Sequence, residues 1–263
     1  MLALVCGTGD LPGKIAAAQA DPVLVCVLEG FAPTGLEADL TFSLETLGSL
    51  LIELGKRGVT EVCFCGGIDR PKIDPAKLDE HTAPLVPLLA GALTSGDDGA
   101  LRPIMGLFEQ TGFTVRAAHE LAPELIAQPG VLSDKWPDAQ MRKDAKLGAD
   151  VLAVMAPLDV GQACIIGGGQ LLGMETVGGT DHMIASLPKS PHVAQGVLVK
   201  GPKVGQDLRA DMPTIGPHTV EAVIAAGLAG IVIDAGDVLL LDSDRCVQLA
   251  NAGGIVLWSR TGD

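Results

Sequence analysis

The residues best suited to chemistry lie in the second half of the chain. Lys200, Lys203 and Arg209 fall within ten residues, in KGPKVGQDLRAD, although all 263 residues hold only 18 Lys plus Arg. Glycine and proline keep this segment from forming a regular helix, so a solvated amphipathic face accounts for it poorly. In a chain of net charge −14, a local basic cluster points to an anionic ligand; an ordinary exposed loop is the competing account. Read as exposed, the two lysines should be removable with little effect on stability. Asp211 follows, between Arg209 and Pro213 and just ahead of a helix expected from Pro217. A carboxylate so placed could hold a metal or activate a water, and Thr214 in the same stretch is a candidate substrate contact. Upstream, Glu175 closes an apolar run and GGTD at 178–181 follows. Asp181 there is expected to cap a helix beginning near His182. In the functional reading, Glu175 and Asp181 are hard oxygen ligands for Mg²⁺, which takes few protein carboxylates and keeps several waters.

The first half offers phosphate-type features instead. GTGDLPG at 7–13 lies between an expected strand and helix, where glycines let backbone N–H groups approach a phosphate at a helix N-terminus. Gly7, Gly9, Leu11 and Pro12 are the candidate contacts. Pro12 stands where a dinucleotide fingerprint has its third glycine, while Glu29 could meet a ribose hydroxyl. The turn is therefore open to three readings: nucleotide contact, a true NAD site, or a tight turn that needs positive φ. Arg70, in RPK at 70–72, follows a glycine-ended strand at the carboxyl edge of the sheet and is a candidate phosphate contact. GDDGALR at 96–102 places Asp97 and Asp98 at the start of a helix with Arg102 one turn on. They are either substrate contacts or an N-terminal cap with a favourable dipole interaction.

The elements that must position these residues follow from periodicity. LALVC at 2–6, a helix from Leu11 to Gln19 and VLVCVLEG at 23–30 read as a βαβ unit, which implies a parallel sheet. A short strand near 40–43, a helix over 44–56, a glycine-ended strand at 59–67, a helix over 97–112 and a strand at 113–118 extend it. Residues 127–138, QPGVLSDKWPD in their core, lack periodicity. The expected division is a Rossmann-like domain at 1–130, a linker at 131–137 and a second α/β domain at 138–263. In the latter a helix is expected over 138–152, with strands at 162–166, 170–176, 196–200, 231–234, 237–241 and 254–258.

Apolar residues make up 48% of the chain and charged ones 19%, enough for cores without disorder. The longest apolar stretches, such as Val151 to Met155, are far shorter than the roughly 20 residues of a spanning helix. The N-terminus has no basic region ahead of its apolar run, unlike a secretory signal, so a cytoplasmic protein is expected. The acidic balance excludes nucleic acid as a partner. Most of the six cysteines sit in strand-like runs, so they are expected to be reduced core residues.

GTGDLP at 7–12, FCGGIDRP at 64–71, GDDGALR at 96–102, AHE at 118–120, DVGQA at 159–163, GTD at 179–181, KGPK at 200–203, RADMPTIGPHT at 209–219 and AGLAGI at 226–231 carry a resemblance over nearly the full length. With these motifs the chain resembles the LpxI-type UDP-2,3-diacylglucosamine pyrophosphatases of Gram-negative lipid A synthesis. That resemblance implies a Rossmann-like N-terminal domain, a C-terminal α/β domain of its own type, and a substrate held between them. It implies Mg²⁺ dependence and hydrolysis to UMP and 2,3-diacylglucosamine 1-phosphate, and it places the essential aspartate at Asp211. Gly67-Ile68-Asp69 departs from the more polar turn the resemblance leads one to expect. A lipidated substrate implies transient contact with the inner membrane surface, and a homodimer stays open. An NAD-dependent oxidoreductase and a non-catalytic nucleotide-sugar binding protein are the rival functions.

Overall fold

The computed structural model describes residues 1–69, 73–93, 96–209 and 211–261, leaving aside the side chains of 93, 97 and 98. The chain divides into two compact units. The first is Met1–Pro123 with Asp207–Asp211; the second is Glu124–Gln206 with Met212–Asp263.

The first unit is built on strands β1 (Leu2–Cys6), β2 (Leu24–Leu28), β3 (Leu40–Phe42), β4 (Glu61–Cys65) and β5 (Thr114–Val115), all parallel in the order β3-β2-β1-β4-β5. Helices Leu11–Ala18, Leu47–Lys56 and Asp97–Gln110 alternate with them. The central strands are near-continuous apolar runs because both faces of a parallel sheet are covered; every residue of β2 is buried. Ala3, Val5, Cys26 and Leu28 meet Leu50, Leu54 and Phe108 in one core. There Phe64 stands edge-on to Phe108, with ring centroids 5.1 Å apart. Because the chain leaves β1 towards β2 and leaves β4 towards β5, the carboxyl ends of β1 and β4 flank the reversal of strand order, where such sheets bind ligands.

The second unit carries a mixed sheet of β6 (Gly130–Val131), β7 (Ala163–Gly167), β8 (Gln170–Met174), β9 (Val197–Lys200), β11 (Gly230–Asp234) and β13 (Val256–Arg260), in the order β6-β13-β11-β9-β7-β8. A separate parallel pair joins β10 (Thr214–Ile215) to β12 (Leu239–Leu240). β9, β11 and β13 run parallel, and the flanking strands pair antiparallel. Alternation along the strands sends Ile165, Leu198, Ile231 and Leu257 to one face against Val220, Val223 and Ala250. Cys164, Ile166, Val197, Val199 and Val232 go to the other, against Met141, Ala145 and Leu152 of helix Ala139–Met155. That helix approaches the sheet closely at Gly148, where a Cβ would lie 2.6 Å from a Val199 methyl. Its Asp144 is fully buried and accepts the amides of Gly168 (3.0 Å) and Gly169 (2.8 Å) in the β7–β8 turn.

The irregular stretch around 127–138 is tied into this unit. Ala127 N–H donates to the Val238 carbonyl, Leu132 N–H to the Leu257 carbonyl, and the Ser133 hydroxyl accepts the Leu257 amide at 2.8 Å. All six cysteines are free and buried, as their strand setting implied. Burial pushes the thiols of Cys26 and Cys164 up to about 12, which keeps them protonated and unreactive. Among the described residues no helix is long and apolar enough to cross a membrane.

Candidate active site

In the first unit the two glycine turns are laced together at the carboxyl ends of β1 and β4. Gly7 N–H donates to the Cys65 carbonyl (2.8 Å). Thr8 N–H donates to the Gly67 carbonyl (2.8 Å), and Gly67 N–H returns a bond to Thr8 (3.0 Å). A Cβ on Gly7 would sit 2.2 Å from the Gly67 carbonyl oxygen, so only glycine permits this approach. The amides of Gly7 and Thr8 are thereby committed to the protein, and the donors a phosphate could meet are those of the helix's first turn, which lack intrahelical partners. Gly9 occupies positive φ (+92°) and Leu11 opens the helix. Pro12 is buried and has no amide to offer. Arg70 lies outside the described residues. Asp97 and Asp98 form the first turn of their helix behind Gly96, as expected for a helix start, and their carboxylates lie outside the described set.

Asp207–Asp211 belongs to this unit and is held there by Arg209. Its guanidinium donates Nε (2.9 Å) and Nη2 (2.7 Å) to Asp207 and Nη1 (2.5 Å) to Glu109. The hydrogen bonds that Arg209 donates to Asp207 and then to Glu109 raise its pKa, and the bond from Arg209 holds the Asp207 carboxyl below its ordinary value. Arg209 therefore holds a loop through two carboxylates. Asp211, partly buried, ends this segment, and the chain then enters the second unit through Met212 and β10. Thr214 on β10 donates its hydroxyl to the Met212 carbonyl at 3.0 Å.

In the second unit the polar groups gather at the carboxyl ends of β9 and β11. Lys200, the last residue of β9, donates Nζ to Thr180 Oγ1 at 2.9 Å. The Thr180 hydroxyl donates to Glu175 Oε1 at 2.5 Å, and Gln162 N–H donates to Glu175 Oε2 at 2.7 Å. Next to Lys200, a Cβ on Gly201 would meet Asp234 Oδ2 at 2.2 Å; Asp234 in turn accepts Arg260 Nε at 2.7 Å. Lys203 differs from the exposed side chain its loop implied: it is 6% exposed, and its ammonium is paired with Asp159, a residue in the left-handed region at φ 51°. The reason is non-local, because the partner lies 44 residues away in sequence. Asp181 also differs from its expected capping role. Its helix starts at Gly179 with Gly178 at the cap, which leaves Asp181 in the first turn, 61% exposed, with Oδ2 3.4 Å from His218 Nδ1.

The structure thus joins Lys200 to Glu175 through Thr180, and Lys203 to Asp159. Among the described residues no three His, Cys, Asp or Glu side chains form a group that could hold a metal. Thr180, Asp159, Asp234 and Glu109 were not singled out from sequence. Asp159 and Thr180 lie inside the DVGQA and GTD motifs, which was the available signal.

Comparison with known proteins covers both units. The pattern of the LpxI N-terminal domain matches residues 1–125 and that of the LpxI C-terminal domain matches residues 128–258. A curated relative from Caulobacter vibrioides, the UDP-2,3-diacylglucosamine pyrophosphatase LpxI, is 32% identical over 97% of this chain and 95% of its own length. With matches to both domains and a relative aligned nearly end to end, the chain belongs to the LpxI family.

Proposed function

We propose that this protein hydrolyses UDP-2,3-diacylglucosamine to UMP and 2,3-diacylglucosamine 1-phosphate. The near-full-length similarity to an enzyme of that name carries the reading. The reaction adds one water across a phosphoric anhydride: the water oxygen bonds to one phosphorus as the bridging oxygen leaves with the other. Such chemistry depends on positioning, charge neutralisation and an activated water.

Asp211 is our candidate for the carboxylate that accepts the water proton or holds the metal. Lys200 is the cation we assign to the pyrophosphate oxygens, because Lys203 and Arg209 are engaged by Asp159, Asp207 and Glu109. Lys203 and Arg209 then act by shaping the loop on either side. The glycine turn, with Gly9 and Leu11 at the start of the helix, is our candidate anion contact in the first unit. Mg²⁺ is the proposed cofactor. The hard oxygens of Asp211 in the first unit, or those of Asp181 in the second, suit it, since Mg²⁺ needs only one or two carboxylates alongside waters. Bound there, it would neutralise charge on the phosphate oxygens. Glu175 we assign to anchoring Thr180, since both of its oxygens already accept hydrogen bonds. A cytoplasmic location with transient contact at the inner membrane surface fits a lipidated substrate.

The test is incubation of purified protein with UDP-2,3-diacylglucosamine, with and without EDTA, and identification of products by mass spectrometry. UMP and the lipid monophosphate, formed only without chelator, support the reading. Intact substrate under both conditions overturns it, and undiminished turnover with EDTA removes the metal.

A further inference from the structure

Within the basic cluster, Lys200 is distinguished by the kind of group it meets. Lys203 and Arg209 have their charges matched by contacting carboxylates, whereas Lys200 meets the neutral hydroxyl of Thr180 at 2.9 Å. The direction of that bond is determined. A carboxylate only accepts and an ammonium only donates, so the single Thr180 proton points to Glu175 Oε1 and its lone pair faces Lys200. Glu175 is itself oriented, because Gln162 N–H holds its other oxygen at 2.7 Å. The backbone beneath is equally constrained: a Cβ on Gly161 would lie 2.4 Å from the Glu175 carbonyl oxygen. A chain of hydrogen bonds thus runs from the main chain at Gln162 through Glu175 and Thr180 to the ammonium that ends β9.

We propose that Thr180, anchored by Glu175, is a positioning residue that presents Lys200 to a phosphate of the substrate while leaving its charge unmatched by a contacting carboxylate among the described residues. This rests on the pyrophosphatase reading. A flexible lysine normally loses rotamer freedom on gripping an anion; here the side chain is ordered beforehand.

Thr180→Val keeps the shape and removes the hydroxyl. It should raise KM for UDP-2,3-diacylglucosamine about three- to tenfold, the scale of ordering one long side chain, and leave kcat within about twofold. Thr180→Ser should restore KM, and Glu175→Gln should shift KM in the same direction as Thr180→Val. In a Lys200→Ala background, Thr180→Val should add nothing. An unchanged KM, no rescue by serine, or a full effect of Thr180→Val without Lys200 overturns the proposal. Calorimetric titration with inorganic pyrophosphate separates it from the hydrolase reading. If the wild type releases no UMP, that reading fails, yet weaker pyrophosphate binding by Thr180→Val still supports the positioning role, and equal binding by both proteins overturns it. Should Thr180→Val fail to fold, Glu175→Gln carries the same comparison.

Discussion

Replacing Lys203 by Met would keep the aliphatic stem and delete the ammonium that contacts the Asp159 carboxylate. Breaking a fully buried pair costs about 3–5 kcal/mol, and an exposed one about 0.2–1 kcal/mol. This pair lies between those limits, with the Lys203 side chain 6% exposed and the Asp159 side chain 24% exposed. Water can reach the carboxylate in part, so about 2 kcal/mol is expected. For a chain of this size that corresponds to a fall in Tm of roughly 4–8 °C. Differential scanning calorimetry and urea denaturation of Lys203→Met, Asp159→Asn and the double variant supply the assay. The double variant should lose clearly less than the sum of the singles, since the two side chains are in direct contact and their effects couple. A Lys203→Met protein that melts within about 1 °C of wild type while binding substrate poorly would refute the reasoning and return Lys203 to direct ligand contact.

Three other outcomes are expected. Asp144→Ala should destabilise the second unit by about 3 kcal/mol, because the Gly168 and Gly169 amides lose a charged acceptor; hydrogen exchange at those two amides should accelerate, and unchanged protection would contradict it. Asp207 has its pKa lowered chiefly by the hydrogen bond from Arg209. Its contribution is therefore present above the unfolded value near pH 3.9 and lost as pH falls through the lower folded value. Urea stability should drop more from pH 6 to pH 3 in the wild type than in Asp207→Asn, and equal drops would remove the Asp207–Arg209 pair as the cause. Gly7→Ala should disrupt the first unit, since its Cβ would press on the Gly67 carbonyl; a normal urea midpoint would contradict the close approach.

The parallel sheet of the first unit was legible because β1, β2 and β4 are short apolar runs separated by glycine turns and amphipathic helices. Helix Val86–Leu93 was not, since VPLLAGAL is apolar on all sides and offers no period to read. Helix Ser243–Gly253 was also missed: it follows Asp242, a non-glycine residue at φ 48°, and its few apolar residues sit among polar ones. For the site, local sequence showed which side chains carry charge but not which charges are already engaged. Arg209 is matched by Glu109 a hundred positions earlier, and the role proposed for Thr180 depends on Glu175, just past β8, and Lys200, at the end of β9, meeting at its hydroxyl. Spacing reveals a cluster; only the fold distributes its partners.

The central claim rests most directly on UMP release from UDP-2,3-diacylglucosamine by the purified wild type beside an equally purified, folded Asp211→Ala variant. Mg²⁺-dependent release by the wild type is predicted, with a loss on the order of 10²-fold or more in the variant, the scale of removing a positioned acid–base group, and with substrate binding retained. Absence of UMP from the wild type would contradict the assigned activity, and near-equal rates from both proteins would contradict the role of Asp211.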